Sequence, residues 1–340
     1  MSQRNAPSYH VLLRAGAGDS YSVEVPDGSL LVGLRMDGAT GGADGRVDEE
    51  VWEPLRQAGI TPSQEAVDFV RFATAAYCAD LLVPHNTAFD GWSRHVVLHL
   101  PVADPDRWEA ASDTLTRLLD FLSGDRWELR FRRLLVPPPP RSRPMRRPRP
   151  PIEATRVCLL SGGLDSAIGG ADLLTEGQTV AFVSHNAKSG GAVFSSPAQD
   201  AVLAALRRHT TAAFHPLRFR LHPPKPVDGV TTSVTTTRSR SIIFFALGLL
   251  TASGLDGAHG GNAVPLVVPE NGLISLNVPL TKRGWEAGAP GRRTPTPSHS
   301  FGTSRSASGC RRRSRRLTPP SRRAKCCSPW RTATASWPRI

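Results

Sequence analysis

Hydrophobic and polar positions in the first 136 residues fall into short alternating runs near both ends and a helical spacing between them. Residues 9–13, 21–25 and 29–34 have strand character, and Gly41-Gly42-Ala43-Asp44-Gly45 reads as a turn. Thr61-Pro62-Ser63-Gln64 predicts a helix start, with Thr61 as cap, Pro62 at the first helical position and Gln64 completing a capping box. Val67, Val70, Ala73, Tyr77 and Leu81 then recur at three- and four-residue spacing, as an amphipathic helix requires. Residues 95–102 alternate as a strand, 106–122 follow a helical period, and 126–134 alternate again after Ser123-Gly124-Asp125. Together these elements predict an independent α+β domain over residues 1–136.

The pattern changes beyond residue 152. Strand-like runs at 157–160, 179–185, 214–221 and 266–268 are separated by helical segments at 167–176, 195–209 and 242–252. Strand–helix–strand repetition predicts a parallel sheet with right-handed crossovers, which binds ligands beyond the C-terminal ends of its strands. The expected fold is therefore α/β, with a parallel-sheet domain over residues 152–282.

Two stretches carry no such pattern. Residues 137–151 read P-P-P-P-R-S-R-P-M-R-R-P-R-P-P, a semi-rigid spacer because proline fixes φ and removes a donor. Residues 283–340 contain one Leu, one Ile, one Phe and neither Val nor Met, too little apolar surface to bury. This tail is expected to be disordered. An abundance of Arg, Ser, Pro and Ala is what a GC-rich strand yields out of frame, so a frameshift near residues 281–285 is expected; a basic tail that binds nucleic acid is the other reading.

Charge then changes meaning. The chain carries 42 Lys and Arg against 29 Asp and Glu, a formal net charge of +13. Residues 282–340 hold 15 of those basic groups and one acid, so the first 281 residues have a net charge of −1. A nucleic-acid partner is thus expected only through the tail. The five cysteines form neither a disulfide framework nor a CxxC-type zinc site. Residues 1–20 lack an apolar signal core, and the run at 242–252 is too short to span a bilayer, so no membrane contact and a cytoplasmic location are expected.

The candidate chemistry centres on R-V-C-L-L-S-G-G-L-D-S-A, residues 156–167. A strand that turns through Ser161, Gly162 and Gly163 into a helix opened by Leu164, Asp165 and Ser166 leaves backbone N–H groups pointing at one place, which favours a phosphate. Leu160, at the end of the strand, belongs to the same motif. No Gly-Lys-Ser/Thr follows, which excludes a Walker loop. His185 and Asn186 end the second strand, where the adenosine half of ATP would lie. Arg238 and Arg240 open the helix at 242–252 against its dipole, so either an anion sits between them or both are solvated. Glu270, Asn271 and Asn277 follow the last strand and suit a substrate or Mg²⁺; a plain Asn-Gly turn fits equally. Asp90, Arg94, His95 and His99 could be imagined as a catalytic cluster, but alternating histidines on a half-exposed strand more often face solvent, and that reading is kept; Trp92, Trp108 and Trp127 are read as core.

S-G-G-L-D-S resembles the pyrophosphate loop of the PP-loop ATP pyrophosphatases, the adenine nucleotide alpha hydrolase-like fold. With T-R-S-R-S and V-P-E-N-G-L-I-S-L-N-V-P-L, the chain looks like the 7-cyano-7-deazaguanine synthase family. A-Y-C-A-D, D-G-W-S-R and the run ending F-L-S-G-D-R-W bring it nearest to the synthase-like component of the Qat anti-phage defence system. The likeness covers residues 8–136 and 156–282. It implies ATP-dependent adenylation of a carboxylate or carbonyl oxygen on a small-molecule or protein-terminus acceptor, with release of pyrophosphate, and other defence-operon proteins as partners. In it the loop amides with Ser161 and Ser166 hold pyrophosphate, Asp165 orients the loop or Mg²⁺, and Arg238 and Arg240 neutralise developing charge. The family's four-cysteine zinc site has no counterpart, since Cys310, Cys326 and Cys327 lie in the tail. An inactive nucleotide-binding partner, or a non-functional frameshifted product, is the alternative.

Overall fold

A computed structural model describes residues 8–16, 18–38, 44–85, 88, 93–134, 150–186, 196–224, 239–256 and 264–270. In chain order these form β1 (Ser8–Ala15), β2 (Leu30–Met36), β3 (Gly45–Arg46), β4 (Asp48–Glu50), α1 (Trp52–Gln57), α2 (Gln64–Leu82), β5 (His95–Val102), α3 (Pro105–Ala110), α4 (Ser112–Ser123) and β6 (Arg126–Arg133). There follow β7 (Arg156–Leu159), α5 (Leu164–Thr175), β8 (Val180–Asn186), α6 (Pro197–His209), β9 (Phe214–His222), α7 (Arg240–Asp256) and β10 (Leu266–Val267). The tail, most of the 137–151 spacer, Asp90, Trp92 and residues 41–43 lie outside the described residues.

The fold is α/β throughout. The first sheet has the order β3-β2-β1-β5-β6, and every pair in it is parallel, which corrects the α+β expectation for residues 1–136. β1 is flanked by β2 and β5, the sheet's edges are β3 and β6, and residues 21–25 form no strand. They are tied instead by Arg14 Nε donating to the Tyr21 carbonyl at 2.8 Å and by Arg132 lying 4.4 Å from the Tyr21 ring centroid.

Helix α2 starts two residues later than expected. Ser63 is the cap, its hydroxyl accepting from the Ala66 amide at 3.2 Å, and Gln64 reaches forward to Asp68 rather than back to the cap. The helical period at 106–122 breaks at Ala111 into α3 and α4. Nor is α2 amphipathic in the ordinary sense: it is buried on nearly all sides, with Asp68, Arg71 and Asp80 as deep as its apolar residues. Each of those charges is paired, Arg71 with Asp37 and Asp68, and Asp80 with Arg94.

The second sheet has the order β10-β7-β8-β9-β4, parallel except for β4, which comes from the first half of the chain and runs antiparallel to β9. Arg220 on β9 pairs with Asp48 at 3.1 Å and Glu50 at 3.3 Å across that join. Side chains of β7 and β8 alternate between two cores. Val157, Leu159, Ala181 and Val183 face α7 and, through it, α2 and the first sheet, in one cluster that also holds Tyr9, Leu98, Val70 and Leu247. Cys158, Leu160, Val180 and Phe182 face α5 and α6. The first 136 residues are therefore not an independent unit in packing; α2 is an inner layer shared with the second sheet.

Of the two strand histidines, His95 is half-exposed as expected and His99 is not. His99 is buried, with Nε2 3.0 Å from His10 Nδ1 and the rings stacked, and burial followed by the neighbouring His10 pushes its pKa down to about 4. Arg94 is wholly buried, held by Asp80, Asp125 and the carbonyls of Asp80 and Val83. Trp127 is core as expected, and Trp108, partly buried, packs against the same core cluster beside Phe69, Phe72 and Phe131. Among the described residues no helix is long and apolar enough to cross a membrane.

Candidate functional site

In the second sheet β7, β8 and β9 follow one another outward on one side, and the chain then crosses back over the opposite face through α7 to place β10 on the other side of β7. The order of strands reverses between β7 and β10. In open α/β sheets the crevice at such a reversal, beyond the strands' C-terminal ends, is where ligands sit. Ser161, Gly162 and Gly163 leave β7 at that crevice, and Glu270 follows β10 there.

The loop is built to keep its amides free. Gly163 is the cap of α5 and supplies no side chain to it, while Gly162 adopts φ +87°, a conformation that suits glycine. A Cβ on Gly162 would lie 2.9 Å from the Gln199 amide nitrogen, so the start of α6 packs directly on the loop. Two helix N-termini thus approach one turn. Ser196, the cap of α6, makes no side-chain capping bond either, and Pro197 fills its first turn. Inside the loop Ser161 Oγ accepts from the Gly163 amide at 3.3 Å, and Ser166 Oγ donates to the Gly163 carbonyl at 2.9 Å. The amides of Gly162, Leu164, Asp165 and Ser166 have no partner among the described residues. Leu164 is 73 % exposed, and Ser161 and Gly163 are exposed as well, so the turn is open to a ligand.

Glycine also sets the closeness of α5. A Cβ on Gly169 would meet Pro269 at 2.7 Å, and one on Gly170 would meet the Phe182 ring at 2.9 Å. These two residues let the helix lie against both the sheet and the segment leading to Glu270, which narrows the crevice. No family model, curated protein or solved structure matches this chain. The reading of the site accordingly stands on its own residues.

Those residues are distributed as follows. Asp165 is the second residue of α5, half-buried, with no partner among the described residues. Leu160 is buried in the core beside α5, so only its main chain can serve the loop. His185 is the last residue but one of β8 and is buried; Nε2 lies 3.0 Å from the Leu221 carbonyl, and Nδ1 has no partner among the described residues. Burial first, and the Arg240 and His222 charges after it, push its pKa down to about 4, so the ring is neutral at pH 7. Asn186 follows it at the strand end, and Glu270 is exposed. Arg240 is half-buried at the start of α7, 5.6 Å from the Phe244 ring centroid, and its Nε makes no hydrogen bond. Arg238, Asn271 and Asn277 lie outside the described residues.

Two groups at this edge were not singled out from the sequence. Gln199 is 2 % exposed; its Nε2 donates to the His185 carbonyl at 3.4 Å, and its Oε1 is left without a partner. Tyr77, read as a core position of α2, presents its ring edge-on to His185 at 6.2 Å between centroids. The sequence signal for Gln199 is weak: a polar residue two places after a helix-opening proline. For Tyr77 there is none beyond the A-Y-C-A-D motif.

A triphosphate fits this arrangement chemically. Four unpaired amides suit phosphate oxygens, and the unpaired Nε of Arg240 suits a further anionic oxygen. Among the described residues no three His, Cys, Asp or Glu side chains converge as a metal cage. Mg²⁺ commonly needs only one or two carboxylates plus the phosphates themselves, which Asp165 or Glu270 can supply. Cys78 and Cys158 are buried thiols whose pKa burial raises, so they are poor metal ligands and poor nucleophiles as they stand. A groove lined by Glu53, Gln57, His215 and Arg218 lies by α1 and the first half of β9, away from the loop.

Proposed function

We propose that the protein binds ATP with its phosphates on the 161–166 turn and uses it, in the manner of the 7-cyano-7-deazaguanine synthases, to adenylate an oxygen of an acceptor in the cytoplasm. The observation that carries the reading is the turn itself: an uncapped helix start with four unpaired amides, placed where the strand order reverses. ATP supplies an electrophilic phosphorus. An acceptor carboxylate forms a bond to the α-phosphate as the bond to pyrophosphate breaks, and AMP then leaves when a nucleophile attacks the activated carbon. The chain's part is to hold and neutralise. Loop amides with Ser161 and Ser166 would donate hydrogen bonds to the charge that gathers on pyrophosphate, Arg240 would balance it, and Asp165 would hold a Mg²⁺, which would supply further neutralisation of the phosphates. Glu270 stands at the crevice mouth, where an acceptor would enter.

Gly162→Ala tests the reading. The new Cβ would strike the Gln199 amide in a backbone conformation that alanine adopts with strain, so the loop must reshape while both cores stay intact. The full chain with Mg²⁺ should bind ATP in calorimetric titration, and the variant should bind at least about tenfold more weakly while still melting in one cooperative transition, a few degrees lower. Release of pyrophosphate from ATP separates an enzyme from a nucleotide-binding partner: binding without release, even with neighbouring gene products present, supports the partner. A wild-type chain that binds no ATP overturns both.

A further inference from the structure

We infer that Asp80, on α2 in the first half of the chain, is a positioning residue for the nucleotide site of the second half, acting on Arg240 through Ser239. Asp80 Oδ2 accepts from the Ser239 hydroxyl at 2.7 Å and from the Ser239 amide at 3.2 Å. Ser239 is buried and immediately precedes α7, whose first residue is Arg240. A carboxylate from the other half of the molecule therefore fixes the residue on which Arg240 turns.

The arrangement answers the puzzle of an arginine at a helix start. The positive end of the α7 dipole and the Arg240 guanidinium oppose each other, and Asp80 supplies the anion that offsets both. Asp80 can do so because its other oxygen is secured: Oδ1 pairs with Arg94 at 2.8 Å, and Arg94 is also bound by Asp125. The buried trio of Asp80, Arg94 and Asp125 has a net charge of −1, and its one outward-facing oxygen is spent on α7. The dipole alone thus no longer calls for a phosphate. What remains unmatched is the Arg240 side chain, with Nε unpaired and no ion pair among the described residues. The first half satisfies the helix and leaves the guanidinium available.

A second contact comes from the same face of α2. Tyr77, three residues before Asp80, packs edge-on against His185, and His185 meets Phe244 at 5.6 Å, the ring over which Arg240 lies. One turn of α2 thus buttresses both the strand end that carries His185 and the helix start that carries Arg240.

This inference rests on the reading of Arg240 as a group that faces phosphate, so the test separates the two. Dissociation constants of the full chain for ATP and for AMP, both with Mg²⁺, are measured for wild type, Arg240→Ala, Ser239→Ala, Ser239→Thr and the Ser239→Ala/Arg240→Ala double variant. Ser239→Ala keeps the amide bond to Asp80 and removes only the hydroxyl, so the fold should persist, as its melting profile will report. It should weaken ATP about tenfold and AMP by less than about twofold, Ser239→Thr should restore ATP binding, and Ser239→Ala should cost nothing further when Arg240 is absent. The inference is overturned if Ser239→Ala leaves ATP affinity unchanged, weakens ATP and AMP alike, or adds in full to Arg240→Ala. If wild type binds no ATP, or Arg240→Ala has no effect on it, the reading of Arg240 fails first and the role of Asp80 with it.

Discussion

Glu49 and His99 are both held neutral by burial, with opposite consequences for stability against pH. Desolvation, then the nearby Asp37 charge, raises the Glu49 pKa to about 8, although its carboxylate accepts from the Asp37 amide. Between pH 4.5 and 8 the unfolded chain releases a proton that the folded one keeps, so stability falls as pH rises. Glu49→Gln removes that linkage and should stabilise the protein by about 2 kcal/mol at pH 8, allowing for partial solvent access, and by little at pH 4.5. His99 and His185, both lowered to about 4, act the other way: between pH 6.5 and 4 the unfolded chain gains protons that the fold refuses, and stability is lost as pH falls. Each can contribute roughly 2–3 kcal/mol across that window. With Glu49→Gln as background, so that the opposing carboxyl linkage is absent, the urea midpoint should decline from pH 6.5 to 4, and decline about half as far when His99→Gln is added, which keeps a hydrogen-bonding partner for His10. In that Glu49→Gln background a midpoint flat with pH would show that these rings titrate normally.

Helices α2 and α7 meet where residues are small, and the glycines there are structural. A Cβ on Gly254 would lie 2.3 Å from Ile60 Cγ2 and 3.0 Å from the Pro62 nitrogen, so Gly254→Ala must push the lead-in to α2 away from α7. It should cost about 1–3 kcal/mol in chemical denaturation even though alanine favours a helix by about 1 kcal/mol. A neutral or stabilising effect would mean that the two helices separate readily. Such contacts also explain what could be read in the chain beforehand. Residues 95–102, 126–134, 157–160 and 179–185 were legible as strands because local period and flanking turns agree, and the phosphate turn was legible because its glycines, serines and aspartate are consecutive. The all-parallel pairing of β1, β2, β5 and β6 was not, since partner choice is decided by residues far apart in sequence. The two-residue β3 and three-residue β4 carry too few positions to show a period. Asp68, Arg71 and Asp80 look like a solvated helix face until their partners from other segments are in place. For the same reason Gln199, Tyr77 and Asp80 were missing from the site: each reaches it from an element that the loop motif does not contain.

At the scale of the whole molecule, two consequences concern the chain's continuity. The tail reading predicts that the gene, translated in one of its other two frames beyond codon 282, continues with alternating and helical apolar periods; if neither frame does, the basic tail is the intended product. The second consequence concerns the spacer. Across it the halves share one apolar cluster, a β4–β9 ladder, the Arg220 ion pairs and the Asp80–Ser239 bonds. Domain contacts of the ordinary kind are polar and allow relative motion, whereas a helix buried between two sheets has the character of a core. A protease site inserted within residues 137–149 should therefore cut the chain without parting it. The fragments should co-elute at micromolar concentration, and ATP affinity should stay within about twofold of the intact chain, because the turn and Arg240 both belong to the second half and the contacts that hold Ser239 to Asp80 do not run through the spacer. Fragments should separate only in denaturant, and the first half expressed alone should aggregate, since the α7-facing side of α2 would then be open to water. Fragments that part under native conditions would instead make the first half a docked module, and the link from Asp80 to the nucleotide site would be dispensable.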